Sequence, residues 1–88
     1  MIYEIIFSDK ALKQIKKLEK EVQERIIAVL ERIRVRPEAY VIKLVGDPGY
    51  KLRVGDYRLI MDIENNKLKI LVLKVGHRKN IYDRSLHS

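Results

Sequence analysis

Lys51, Arg53, Arg58, His77, Arg78 and Tyr82 are the side chains in this sequence whose types and spacing could do chemistry together. An arginine presents a planar fork of N–H donors that matches two phosphate oxygens at once. Histidine is the side chain whose ordinary titration lies near neutrality, so it suits proton transfer. A tyrosine ring can stack on an unpaired base. A lysine becomes a base where neighbouring cations favour its neutral form. Together these groups suit attack of a ribose 2′-hydroxyl on the adjacent phosphate. That reaction needs a proton taken from the hydroxyl, charge stabilised on the phosphate, and a proton given to the leaving oxygen. The sequence has no cysteine, and His77 and His87 are not spaced as paired metal ligands, so neither thiolate chemistry nor a His-based metal site is indicated. Plainer readings stand beside these. His77 could be an exposed loop histidine, Arg78 a surface cation, and Tyr82 a ring packed on a sheet edge. His87 lies in the last residues, where order is least expected. Glu38 and Asp47 could supply a carboxylate base, but nothing in the sequence brings them to the cations.

The charge balance points the same way. The chain of 88 residues carries a formal net charge of +7. Residues 1–38 hold nine Lys/Arg against seven Asp/Glu, and residues 39–88 hold ten against five. The surplus lies in the half that carries the candidate groups, and it favours a polyanionic partner. A length of 88 residues suits one domain with one core. An apolar content of 47% argues against disorder. No apolar run is long enough to span a membrane, and the N-terminus lacks the pattern of a signal peptide, so the expected location is the cytoplasm.

The elements that must position these groups follow from periodicity. Ile2 to Phe7 is an apolar run of strand formers, closed by Ser8-Asp9. Ser8 is a candidate helix N-cap, with Asp9 in the first turn. Ala11, Leu12, Ile15 and Leu18 recur at helical spacing, as do Val22, Ile26, Val29, Leu30 and Ile33, and Pro37 ends the pattern. This predicts two amphipathic helices, or one bent near Glu19-Lys20, whose charged outer faces are solvated. Residues 38–49 read as a loop with a turn at Gly46, Asp47, Pro48 and Gly49. Strands are expected at about 50–54, 57–63 and 67–75. The fold class is therefore α+β: an N-terminal strand, two helices and three antiparallel strands, with the helices on one face of a mainly antiparallel sheet.

Two-residue hairpin loops at Gly55-Asp56 and Asn65-Asn66 fix a register. Around the first, Arg53 faces Arg58 and Lys51 faces Ile60. Around the second, Ile63 faces Leu68, Met61 faces Ile70 and Arg58 faces Leu73. Alternation then puts Leu52, Tyr57, Leu59, Met61, Ile63, Leu68, Ile70 and Val72 on the helix side. Lys51, Arg53, Arg58, Ile60, Leu71, Leu73, Val75 and, by extension, His77 take the other side. Like charges directly opposite in a ladder destabilise it, so folding alone does not ask for Arg53 opposite Arg58. An anionic ligand would lift that penalty. A solvated basic face with splayed side chains is the alternative.

At these residues the sequence resembles the RelE branch of the RelE/ParE toxin superfamily. The matching stretches run from Gly49 to Ile60, including Tyr57-Arg58, and from Val75 to Tyr82, including Gly76-His77-Arg78-Lys79. The resemblance implies a metal-free, cofactor-free endonuclease that cuts mRNA in the ribosomal decoding site and so inhibits translation. It implies a RelB-like antitoxin encoded alongside, with a toxin–antitoxin heterotetramer among the assemblies it allows. It makes Arg58 the transition-state-stabilising arginine, Arg78 the group that protonates the leaving oxygen or holds the phosphate, and Tyr82 the ring that orients an RNA base. Lys51 and Arg53 fall on the basic strand where relatives often carry two lysines; Lys51 is the expected general base. Lys79 joins them in contacting RNA, and His77 stays in play as an acid. ParE relatives share the fold and inhibit DNA gyrase by binding, and a degenerate toxin would bind only its antitoxin.

Overall fold

Ser8 closes the first strand and opens the first helix. Its hydroxyl accepts the Ala11 N–H at 3.0 Å and donates to the Leu73 carbonyl at 3.0 Å, so one side chain ties a helix start to the sheet. The computed structural model describes residues 2–77. In order these form β1 (Glu4–Phe7), α1 (Asp9–Lys16), α2 (Lys20–Ile33), a 3-10 turn at Pro37–Ala39, β2 (Ile42–Lys43), β3 (Tyr50–Val54), β4 (Tyr57–Glu64) and β5 (Lys69–His77). The helical pattern is thus two helices, and the break is tied by Gln23 Nε2, which donates to the Leu18 carbonyl at 2.8 Å.

The sheet has five strands in the order β1-β5-β4-β3-β2. β1 runs parallel to β5, and the other neighbours are antiparallel. Ala11, Ile15, Ile26, Leu30 and Ile33 from the helices are buried against Leu52, Val54, Leu59, Met61, Ile70, Val72 and Val75 from the sheet. This is the α+β arrangement expected from the periodicity. Among the described residues, no helix is long and apolar enough to cross a membrane.

The first hairpin has the expected register, with Arg53 opposite Arg58 and Lys51 opposite Ile60. Gly55 sits at φ 59 and Asp56 is not at positive φ, the pattern of a type II′ turn. The second hairpin differs. Its first pair is Glu64↔Lys69, and the positive φ of 54 falls on Leu68, not on either asparagine. The loop therefore has four residues where two were expected. Ile63 pairs with Ile70 and Met61 with Val72, each two residues beyond the expected partner. An offset of two keeps Ile70, Leu71 and Val72 on their expected faces, while Leu68, expected on the helix side of the strand, falls in the loop.

A second correction has larger consequences. Between Met61↔Val72 and Ile60↔Lys74 the ladder slips by one, so Leu73 is an extra residue, a β-bulge. Beyond it the alternation is reversed. Val75, expected on the outer face, is in the core at 2% exposure. Its N–H lies past the last β1 pair, Phe7↔Val72, and donates instead to Gln14 Oε1 at 2.6 Å.

The segment read as a loop also holds more structure. Ile42 pairs with Lys51 and Lys43 with Tyr50, so β2 adds a short edge strand. Leu44 packs with Ile60 in a small cluster of its own, covering part of the sheet face away from the helices.

The Ser8 cap gives a test of this framework. Ser8→Ala removes a helix cap, which costs about 1 kcal/mol, and the hydrogen bond to Leu73. The expected result is a melting temperature lower by roughly 4–8 °C per kcal/mol lost. An unchanged melt would show that the cap contributes nothing.

Candidate functional site

β3 and β4 carry the basic cluster. Leu52, Val54, Leu59 and Met61 face the helices, so Lys51, Arg53, Arg58 and Ile60 face the other way. Lys51, Arg53 and Arg58 line one cavity of about 180 Å³, together with Tyr40 and Ile42. Arg53 is exposed, while Lys51 and Arg58 are half-buried. The volume is below the ~300–1,000 Å³ of pockets that enclose a small molecule; it suits a group held at the surface, such as a phosphate on a strand.

β5 completes the site in two ways. Gly76 stands opposite Arg58, where Leu73 was expected, so no side chain from β5 crowds the guanidinium across the ladder. Lys74 pairs with Ile60 and adds a fourth cation to this face. Both placements come from the bulge at Leu73. Toward the other end of β4, Asp62 and Glu64 share this face, and Asp62 Oδ1 accepts the Ile63 N–H at 2.9 Å. The face is therefore basic toward the Gly55 turn and acidic toward the Asn65 turn. A cluster of cations around a small cavity attracts and holds anions.

His77 is placed elsewhere than expected. It pairs with Tyr57, and the two rings meet edge-on with centroids 5.3 Å apart. Both line a hollow of about 350 Å³ with Gln14, Lys17 and Leu18 of the α1 region. His77 is thus on the helix side of the sheet, because the bulge reverses alternation before it. Glu38, a candidate carboxylate base, accepts a hydrogen bond from Asn65 Nδ2 at 3.1 Å, at the turn joining β4 and β5. Arg78, Lys79, Tyr82 and His87 lie outside the described residues.

Sequence reasoning missed Tyr40, Ile42 and Lys74. A two-residue edge strand is too short to show alternation, and nothing in the local sequence announces the bulge that re-aims Lys74. Chemically, the arrangement can hold a phosphate on the guanidinium groups of Arg53 and Arg58, with the Lys51 amine lining the same cavity.

The comparisons with known proteins agree on one family. Residues 5–82 match the family model described as the ParE toxin of a type II toxin–antitoxin system, parDE. The mRNA interferase toxin RelE of Escherichia coli K12 is 33% identical over 82 residues, covering 90% of this chain and 86% of the relative. A chain of the intact E. coli RelBE toxin–antitoxin complex superposes with a TM-score of 0.72 at 35% identity, covering 85% of this chain and 95% of that one. A chain of the RelBE2 toxin–antitoxin complex of Mycobacterium tuberculosis has a TM-score of 0.83 at 21% identity, covering 89% and 93%, which is a likeness of fold.

Proposed function

The chain belongs to the RelE/ParE family of toxins of type II toxin–antitoxin systems, and from that premise we propose that it is an endoribonuclease that cuts messenger RNA on the ribosome. The observation that carries this reading is the convergence of Lys51, Arg53 and Arg58 on one small cavity, with Gly76 opposite Arg58. Arg53 and Arg58 hold the phosphate and stabilise the charge that develops on it. Lys51 takes the proton from the 2′-hydroxyl. Arg78 assists the leaving oxygen, a role assigned to it ahead of His77 because the His77 ring stands on the helix side. Tyr82 orients a base and Lys79 contacts the RNA backbone. The reaction needs no cofactor. It takes place in the cytoplasm, where the ribosome holds mRNA in an attack geometry, a contribution that can be very large.

The partner is a RelB-like antitoxin. The E. coli and M. tuberculosis structures above are toxin–antitoxin complexes. A toxin with net charge +7 attracts an acidic amphipathic segment, and a heterotetramer with the antitoxin is one assembly that fits.

The test is toeprinting on mRNA in programmed ribosomes, beside the same RNA free in solution. Cleavage within the decoding site, with little cutting of free RNA, is expected. Equal cutting of free RNA would remove the ribosome from the mechanism. One observation favours a second reading: the matching family model is that of ParE. If no RNA is cut and DNA gyrase supercoiling is blocked instead, the protein is a ParE-like binding toxin.

A further inference from the structure

We propose that Tyr40 is a base-stacking platform at the basic cavity, receiving the base of a nucleotide that flanks the phosphate held by Arg53 and Arg58. The proposal rests on the RNA-cleaving reading above and deepens it. It makes the substrate a single strand with a splayed base, and it places a determinant of sequence preference on a residue with no role in the cleavage reaction.

Tyr40 differs from the other tyrosines of the described residues in what it does for the fold. Tyr3 packs against the core and donates its hydroxyl hydrogen to Asn65 Oδ1 at 2.7 Å. Tyr50 packs against the core and has the Lys43 ammonium 5.4 Å from its ring centroid. Tyr57 meets the His77 ring. Tyr40 is not among the residues packed on the core, and its hydroxyl has no hydrogen-bond partner among the described residues. Half of its surface, 50%, is exposed. Leaving an aromatic ring in water brings folding little, so its position asks for another explanation.

The ring stands at the basic cavity. Tyr40 caps the 3-10 turn that starts at Pro37, and its N–H donates to the Pro37 carbonyl at 3.0 Å. The proline-led turn therefore fixes the backbone that carries the ring. Tyr40 lines the same cavity as Lys51, Arg53 and Arg58, with Ile42 beside it at 62% exposure. Sites for single-stranded nucleic acid combine these parts: cations that track the backbone and exposed aromatic rings on which bases lie. Ile42 supplies an apolar wall for the same base. Stacking tolerates any base, but a larger π-face stacks more strongly, so a purine is favoured at the flanking position.

The test uses a property of the sequence. The chain has no tryptophan, so Tyr40→Trp introduces a single fluorophore at the cavity. This variant is titrated with a short single-stranded RNA whose 2′-hydroxyls are methylated, which binds without being cut. Saturable quenching is expected. Tyr40→Ala should weaken binding of that oligonucleotide about 5-fold to 150-fold, the effect of losing one stacked base. Tyr40→Phe, which keeps the ring, should restore most of it. On programmed ribosomes, Tyr40→Ala should raise KM more than it lowers kcat and flatten the preference for a flanking purine. A thermal melt matching wild type excludes unfolding as the cause. If Tyr40→Ala binds and cuts as wild type while Arg58→Ala does not, the RNA site stands and the proposal for Tyr40 is overturned. If Tyr40→Trp responds to antitoxin and not to RNA, the ring is a protein contact and the proposal is overturned as well. If wild type neither binds nor cuts RNA, the underlying reading fails and takes this one with it.

Discussion

Replacing Arg58 with alanine is expected to lower mRNA cleavage on programmed ribosomes about 10²-fold to 10³-fold, the usual effect of losing one donor to a developing anion. The melting temperature should hold or rise slightly. The opposing residue on β3 is Arg53, and two guanidinium groups directly across a ladder repel each other. Removing one relieves that repulsion, while the core on the opposite face of the sheet is untouched. Arg58→Lys should recover only part of the rate, because an ammonium keeps the charge but not the two-pronged geometry. Cleavage is read by toeprinting and stability by a thermal melt of each variant. A normal rate in Arg58→Ala would place the site elsewhere. Loss of activity that tracks loss of folding would make Arg58 structural. The two measurements together separate a role in the reaction from a role in the fold.

That pair was readable from the sequence because the turn between β3 and β4 leaves few choices. Gly55 can take the positive φ of a two-residue loop, and once the loop length is set every pair along the hairpin follows. The helices were readable for a similar reason. Their apolar spacing is regular, and Ser8 marks the start of α1. Asn65 and Asn66 misled, since asparagine tolerates positive φ, yet Leu68 takes it and the loop is longer. The error did little harm to the faces, because a shift of two residues preserves alternation. The bulge at Leu73 did the harm, because a shift of one reverses it. It sent Val75 into the core and His77 to the helix side, and it brought Lys74 and Gly76 to the basic face. The contacts that meet it are tertiary. Ser8 and Gln14, from a distant part of the chain, hydrogen-bond the β5 backbone at Leu73 and Val75. Local propensity carries no record of such contacts. The same holds for β1 lying parallel to β5, and for a two-residue β2 that brings Ile42 beside Lys51.

Matched carboxylates at Leu73 and Val75 should separate the bulged ladder from a regular one. In regular alternation the two residues share a face, so Leu73→Asp and Val75→Asp would be tolerated alike or harmful alike. In the bulged ladder they differ: Leu73 is 38% exposed and Val75 is 2% exposed among core side chains. Val75→Asp puts a carboxyl where no charged partner stands in the core cluster. Burial of such a group shifts its titration by up to 3–5 pH units, so at neutral pH the carboxyl must take up a proton to stay in the core, at a cost of about 4 kcal/mol. A protein of this kind holds only about 5–15 kcal/mol in all. Val75→Asp is therefore expected to leave little folded protein, or to lower the melting temperature by roughly tens of degrees. Leu73→Asp should stay within about 1 kcal/mol of wild type, as exposed substitutions usually do. Its effect should fall on activity, because it adds a negative charge near Lys74 on the face that receives phosphate. Urea unfolding of the two variants, read by circular dichroism, gives the answer. Equal midpoints would mean that the ladder runs without the bulge, and that His77 belongs on the basic face with Arg58.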